Sequence, residues 1–110
     1  MNYLLTGAAG FIGYHVAEKL LKKRKKVYGI DNLNHYYDIN LKKERLKKLK
    51  KYKNFKFIRA DISNSNLIKN IFKKIKPDIV INLAAQAGVR YSLKNPHAYV
   101  ETNVKGFLNI

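Results

Sequence analysis

The chain has 110 residues, 46% of them hydrophobic, and a net charge of +16 from 23 Lys and Arg against 7 Asp and Glu. That length allows one domain with a small core. The absence of cysteine excludes a disulfide framework and a thiolate metal site, and no apolar run approaches the roughly 18 residues of a membrane span.

Tyr3 to Thr6 reads as a short buried strand. Phe11 to Arg24 reads as a helix, with Ile12, Val16 and Leu20 on one face and Gly13, Ala17 and Leu21 beside it. Val27 to Ile30 is a second strand, and Asp31 to Asp38 a polar, aromatic loop. Ile39 to Lys51 is a lysine-rich helix with an apolar stripe of Leu41, Leu46 and Leu49. Phe55 to Arg59 is a third strand. Leu67, Ile68, Ile71, Phe72 and Ile75 mark a third helix, closed by Pro77. Asp78 to Asn82 is a fourth strand, apolar as one covered on both faces would be. Asn95 to Ile110 reads as a fourth helix, with Pro96 in its first turn. Strands alternating with helices mean βαβ units and a parallel sheet. The expectation is an α/β, Rossmann-type doubly wound sheet in strand order 3-2-1-4. About four strands and four helices are present, the amino-terminal portion of such a domain. The chain stops inside a predicted helix, which suggests a piece of a longer protein.

The lysines cluster at the polar faces and ends of helices, with little aromatic interleaving. They read as solvated surface rather than as a nucleic-acid interface.

The stretch LTGAAGFIG, Leu5 to Gly13, joins the first strand to the first helix. Gly7 lets the chain reverse sharply. Gly10 leaves room for a pyrophosphate to approach the backbone, and Gly13 lets the helix lie close to the strand. The free N–H groups of the helix start then face an anion. Asp31 ends the second strand, 18 residues after Gly13. An acid there accepts hydrogen bonds from the adenosine ribose and repels a 2′-phosphate. The residues that follow it are Asn32, Leu33 and Asn34, with no Arg or Lys among them, so NAD is favoured over NADP. Asp61 and Ile62 end the third strand, where they suit an adenine. NLAAQAG, Asn82 to Gly88, leaves the fourth strand with residues small enough to pass close to the second ribose. His15, His35 and His97 have no partners at metal-ligand spacing, so no metal site is expected. One Tyr-x-x-x-Lys occurs, Tyr52 to Lys56. It bridges the second helix and third strand, at the amino edge of the sheet, roughly 15 Å from any ligand at the carboxyl edge.

The stretches TGAAGFIG, GIDNLNHYYDINLKKERL and NLAAQAGVRYSLKNPHAYVETNVKG together resemble the extended short-chain dehydrogenase/reductases that act on nucleotide sugars. The resemblance runs from Asn2 to Ile110. Ala84 to Ser92, with DNLNHYYD, is most like the UDP-glucuronate 4-epimerases; UDP-glucose 4-epimerases usually have Lys where Ala87 stands, and the 4,6-dehydratases a Glu-Ser-His-type sequence at Gln86 to Gly88. Arg24 departs from the family, which often has a glycine ending the first helix.

The resemblance implies cofactor contacts at Gly7, Gly10, Phe11, Ile12, Gly13, Asp31, Asn32, Asp61, Ile62, Leu83, Ala84, Ala85 and Thr102. It implies a sugar-nucleotide border at Ala87, Gly88, Val89, Arg90 and Ser92, where the planar fork of Arg90 suits a phosphate or carboxylate. The implied chemistry is NAD-dependent epimerisation of a UDP-sugar through a transient 4-keto intermediate, by a cytoplasmic homodimer. The implied Tyr/Lys acid–base pair lies beyond residue 110. Another nucleotide-sugar enzyme (a UDP-glucose 4-epimerase or a sugar-nucleotide 4,6-dehydratase), a non-catalytic NAD-binding module and a basic nucleic-acid binder on the same scaffold stand as alternatives.

Overall fold

The computed structural model describes residues 1–33, 39–84 and 110. The predicted fourth helix and most of the loop after Asp31 lie outside them. The elements are β1 (Asn2–Thr6), α1 (Phe11–Lys22), β2 (Lys26–Asp31), α2 (Ile39–Leu49), β3 (Phe55–Arg59), α3 (Ser65–Ile75) and β4 (Ile79–Asn82). All pairings are parallel and the order is β3-β2-β1-β4, as the alternation of elements predicts.

The pleat of β1 divides the core. Leu4 and Leu5 are both wholly buried but face opposite ways. Leu5 packs with Tyr14, Ala17 and Leu21 of α1 and with Leu46 and Leu49 of α2. Leu4 packs with Ile30 of β2 and with Ile68, Ile71 and Ile75 of α3. Helices therefore cover both faces, the three-layer arrangement of a doubly wound sheet.

Helix stripes differ from the sequence expectation in detail. On α1 the buried line is Gly13, Tyr14, Ala17 and Leu21, while Ile12 is 63% exposed. On α2, Leu41 is exposed and Lys42 is buried in its place, one turn before Leu46. On α3, Leu67 lies at the exposed end and Ile68, Ile71 and Ile75 carry the contact. Asn64 caps α3, its side chain accepting from the N–H of Leu67 at 3.1 Å, a contact worth about 1 kcal/mol. β4 is an edge strand, and Ile79 and Val80 are each 37% exposed. Its faces are only partly covered by the described residues, and residues 95–109 of the predicted fourth helix lie outside them.

α1 ends in a Schellman turn. The N–H of Arg24 donates to Leu21 O at 2.9 Å and that of Lys25 to Leu20 O at 3.1 Å. Arg24 takes φ +63 to make it, a left-handed conformation that glycine adopts without strain.

Candidate dinucleotide site

The carboxyl ends of β1, β2 and β3 and the amino end of α1 meet at one edge of the sheet. Each of the three glycines of the first turn has a separate physical reason. Gly7 has φ +71, and a Cβ there would come within 2.9 Å of the backbone of Leu83 and Ala84. Gly13 lies so close to the turn that a Cβ would be 1.9 Å from Gly7 O. Gly10 is different. Its φ of −74 and ψ of 170 are open to any residue, and a Cβ would meet only Gly7 O, at 3.2 Å. The chain's own packing demands glycine at 7 and 13 far more than at 10. Gly10 instead keeps the space above the turn clear, as the approach of an external group requires.

That space faces the start of α1. Gly10 is the N-cap and has no side chain to offer. Its N–H donates back to Gly7 O at 3.0 Å, and the first helical bond runs from Tyr14 N–H to Gly10 O at 2.9 Å. The N–H groups of Phe11, Ile12 and Gly13 are thus the donors that a helix start leaves without intrahelical partners. No acid stands in the first turn, so the positive end of the helix is not neutralised locally. Phe11 and Ile12 are 66% and 63% exposed beside it.

Asp31 stands at the end of β2, 7% exposed. Its Oδ2 accepts from Ala9 N–H at 3.0 Å and its Oδ1 from Leu33 N–H at 2.8 Å. The carboxylate therefore ties the glycine turn to the strand as well as lying at the sheet edge. Asp61 is half-buried, and its Oδ1 accepts from the N–H and the hydroxyl of Ser63 at 2.9 and 2.8 Å. Ile62 is 3% exposed and packs with Leu4, Ile30 and Ile68, so its side chain serves the core. Asn32 is half-buried, Leu83 is 37% exposed and Ala84 is half-buried. Ala85, Ala87, Gly88, Val89, Arg90, Ser92 and Thr102 lie outside the described residues.

Three contributors escape the sequence reading. Thr6, wholly buried, donates its hydroxyl to Asn82 Oδ1 at 2.5 Å and accepts from Leu83 and Ala84 N–H, each at 3.0 Å. All three capacities of the hydroxyl are used, and the chain leaving β4 is pinned beside the glycine turn. Lys42 reaches from α2 to within 4.0 Å of Asp31 Oδ1. Arg45, one turn further along, donates to Ala9 O at 3.1 Å and lies over the Phe11 ring, 5.8 Å from its centroid. A Lys-x-x-Arg spacing on the second helix is the only sequence signal for the last two, and neighbouring lysines mask it.

Tyr52 and Lys56 are not brought together as a catalytic pair. Tyr52 follows α2 and packs against the Leu5-side core. Lys56 is exposed between Phe55 and Phe57, which face that core, so the pleat turns it to the opposite face of the sheet.

A glycine turn opening onto an uncapped helix start, with a carboxylate closing the next strand, defines a Rossmann-type dinucleotide-binding domain. A family model described as GDP-mannose 4,6 dehydratase matches residues 4–110, and the chain belongs to that NAD-dependent epimerase/dehydratase family. It is 55% identical over 108 residues to a UDP-glucuronate 4-epimerase of Thermodesulfobacterium geofontis, a match covering 98% of this chain and 33% of the relative. It is 44% identical over 110 residues to a probable UDP-glucuronate 4-epimerase of Rhizobium meliloti, covering 100% and 32%. Among solved structures, the UDP-glucuronic acid 4-epimerase of Bacillus cereus, in complex with UDP-glucuronic acid and NAD, superposes with a TM-score of 0.87 at 40% identity. That match covers 99% of this chain and 34% of the other. The UDP-glucose 4-epimerase of Thermotoga maritima, with UDP-glucose, gives 0.83 at 36%, covering 99% and 32%. The chain thus spans about a third of the length of the relatives it matches.

Proposed function

We propose that this chain is the NAD-binding amino-terminal portion of a nucleotide-sugar epimerase whose substrate is UDP-glucuronate. The observation that carries the NAD site is Gly10, a glycine that the chain's own backbone and packing need least of the three and whose side chain would fill the space over the α1 amino end. The substrate rests on the relatives at 55% and 44% identity and on the Bacillus cereus neighbour. NAD, when bound, supplies a reversible hydride acceptor for the sugar C4.

The chain's residues then have distinct tasks. The N–H groups of Phe11, Ile12 and Gly13 receive the pyrophosphate at the positive end of α1. Asp31, already oriented by Ala9 and Leu33 N–H, accepts from the ribose hydroxyls. Asp61 accepts from the adenine amino group beside Asn32 and Ile62. Thr6 and Asn82 hold Leu83 and Ala84 against the far half of the cofactor, with Ala85 and Thr102 completing that side. Ala87, Gly88, Val89, Arg90 and Ser92 border the sugar nucleotide. No residue of the chain is assigned the acid–base step. A homodimer, a cytoplasmic location and a role in polysaccharide synthesis belong to the same reading; the names of the relatives support only its UDP-sugar part.

The test is an epimerase assay on the full-length protein, with NAD binding measured beside it by calorimetry. The expected result is conversion of UDP-glucuronate to its 4-epimer, well ahead of UDP-glucose. A protein that binds NAD but prefers UDP-glucose overturns the substrate, and one that turns over neither is a binding module.

A further inference from the structure

In the sequence, Asp31 and the lack of a cation at Asn32, Leu33 and Asn34 favour NAD over NADP. The structure supplies a cation from another element. α2 runs back past the end of β2, and its buried positions are Lys42, Leu46 and Leu49. Among the described residues, Lys42 is the only buried lysine or arginine. Its Nζ lies 4.0 Å from Asp31 Oδ1, and the two side chains are 8% and 6% exposed.

We propose that Lys42 is a specificity-determining residue, a latent reader of a ribose 2′-phosphate, and that cofactor choice is set by the Asp31–Lys42 pair rather than by Asp31 alone. The inference rests on the dinucleotide reading of the site. The two charges cancel at a distance, so a phosphate approaching the end of β2 meets little net repulsion. What excludes it is short-range. The Asp31 carboxylate fills the position and has no proton to donate. With that carboxylate gone, a poorly hydrated ammonium remains beside the vacated space, a setting in which a phosphate oxygen gains a charge-assisted hydrogen bond. With the ammonium gone instead, the bare carboxylate repels phosphate more strongly than before.

Calorimetric affinities for NAD and NADP on the full-length protein test this, with thermal melting of each variant alongside. Asp31→Ser is expected to move the affinity ratio toward NADP by about tenfold to a hundredfold, the worth of one hydrogen bond to a charged group. Asp31→Ser with Lys42→Met is expected to lose that gain. Lys42→Met alone is expected to sharpen the preference for NAD, a readout that stands even if Asp31→Ser does not fold. A double variant that keeps the NADP gain overturns the proposal, and so does Lys42→Met with an unchanged ratio. Folded wild-type protein that binds neither dinucleotide overturns the site itself, a different failure from wild type binding NAD while Lys42→Met leaves the ratio alone.

Discussion

A Cβ on Gly13 would lie 1.9 Å from the carbonyl oxygen of Gly7, whereas a Cβ on Gly10 would lie 3.2 Å from the same atom. One oxygen thus separates two kinds of glycine three residues apart. At position 13 the first turn of α1 rests directly on the strand exit. At position 10 the chain leaves room it does not itself fill.

That contrast sets the first expectation. Gly13→Ala forces backbone apart and should cost about 1–3 kcal/mol or more, the range for overpacking. Gly10→Val should cost about 1 kcal/mol or less, near the difference between glycine and an apolar residue at an N-cap, yet abolish NAD binding. Urea unfolding and dinucleotide titration of the two variants separate the effects. Normal NAD binding by Gly10→Val would misplace the phosphate.

Thr6 is the hinge between the glycine turn and the exit of β4. Thr6→Val keeps the volume but leaves Asn82 Oδ1 without its donor and two N–H groups without their acceptor. Unmade bonds at buried sites cost about 1–3 kcal/mol each in the stricter cases, so a loss of at least about 2 kcal/mol in unfolding free energy is expected. A variant within about 0.5 kcal/mol of wild type would show that the hydroxyl is not the staple of this edge.

Much of this was legible in the sequence. Four apolar runs spaced by helical stretches give the sheet, and the glycine turn with Asp31 marks the edge proposed to hold the dinucleotide. Long-range polar geometry was not legible. Thr6 and Asn82 are 76 residues apart, and only the β1–β4 register, with Thr6 opposite Asn82, joins them. In the sequence Lys42 reads as one more solvated lysine, because helix periodicity ranks apolar residues first and puts Leu41, next to it, in the core stripe. The position of α2 against β2 reverses that order. Ile62 carries a second task that its place at a strand end does not announce. As an apolar residue there it suits a ligand ring, and its side chain also packs in the Leu4-side core.

Arg24 holds a left-handed conformation, φ +63, at the residue that closes α1. A non-glycine residue there is strained by about 1–2 kcal/mol, offset in part by the greater chain entropy that glycine loses on folding. Arg24→Gly should therefore raise unfolding free energy by about 0.5–1 kcal/mol, without touching the site at the other end of the helix. Chemical denaturation of the pair checks it. A destabilised Arg24→Gly would mean that the guanidinium makes a contact worth more than the strain.

Tyr14 is expected to make stability fall in alkali. Burial raises its hydroxyl pKa above the ordinary 10, and the hydrogen bond to Glu18 at 3.0 Å, with the charge of that carboxylate, raises it further. The unfolded chain then releases this proton at lower pH than the folded one. The contribution of the protonated hydroxyl is full below pH about 10 and is lost as pH rises through the folded value. The difference in unfolding free energy between wild type and Tyr14→Phe should be constant from pH 7 to 9 and shift against wild type above pH 10. Parallel curves across that range would show that the folded protein does not hold the proton.

The last expectation concerns residues 1–110 alone, which should not epimerise any nucleotide sugar. The only Tyr-x-x-x-Lys in the chain is Tyr52 to Lys56. Phe55, next to Lys56, pairs with Val27 at the start of β2, while Asp31 pairs with Arg59 at the other end. Four residues of strand, about 13 Å at 3.3 Å each, separate that amino edge from the Asp31 end of the sheet. The two side chains also serve different faces, Tyr52 in the Leu5-side core and Lys56 exposed on the reverse. Tyr52 therefore cannot take a proton from a sugar held over the glycine turn, and Lys56 cannot tune it. β4 adds a second obstacle, since among the described residues Ile79 and Val80 stand exposed at the sheet edge and an open apolar edge favours association over an ordered pocket. Weak NAD binding through the adenosine and pyrophosphate half is compatible with this expectation. The measurement is an assay of purified 1–110 with UDP-glucuronate and NAD, beside the same chain carrying Tyr52→Phe. No turnover is expected from either. Turnover by the wild-type chain that Tyr52→Phe abolishes would put the base on the wrong edge of this sheet and overturn the placement of the dinucleotide with it.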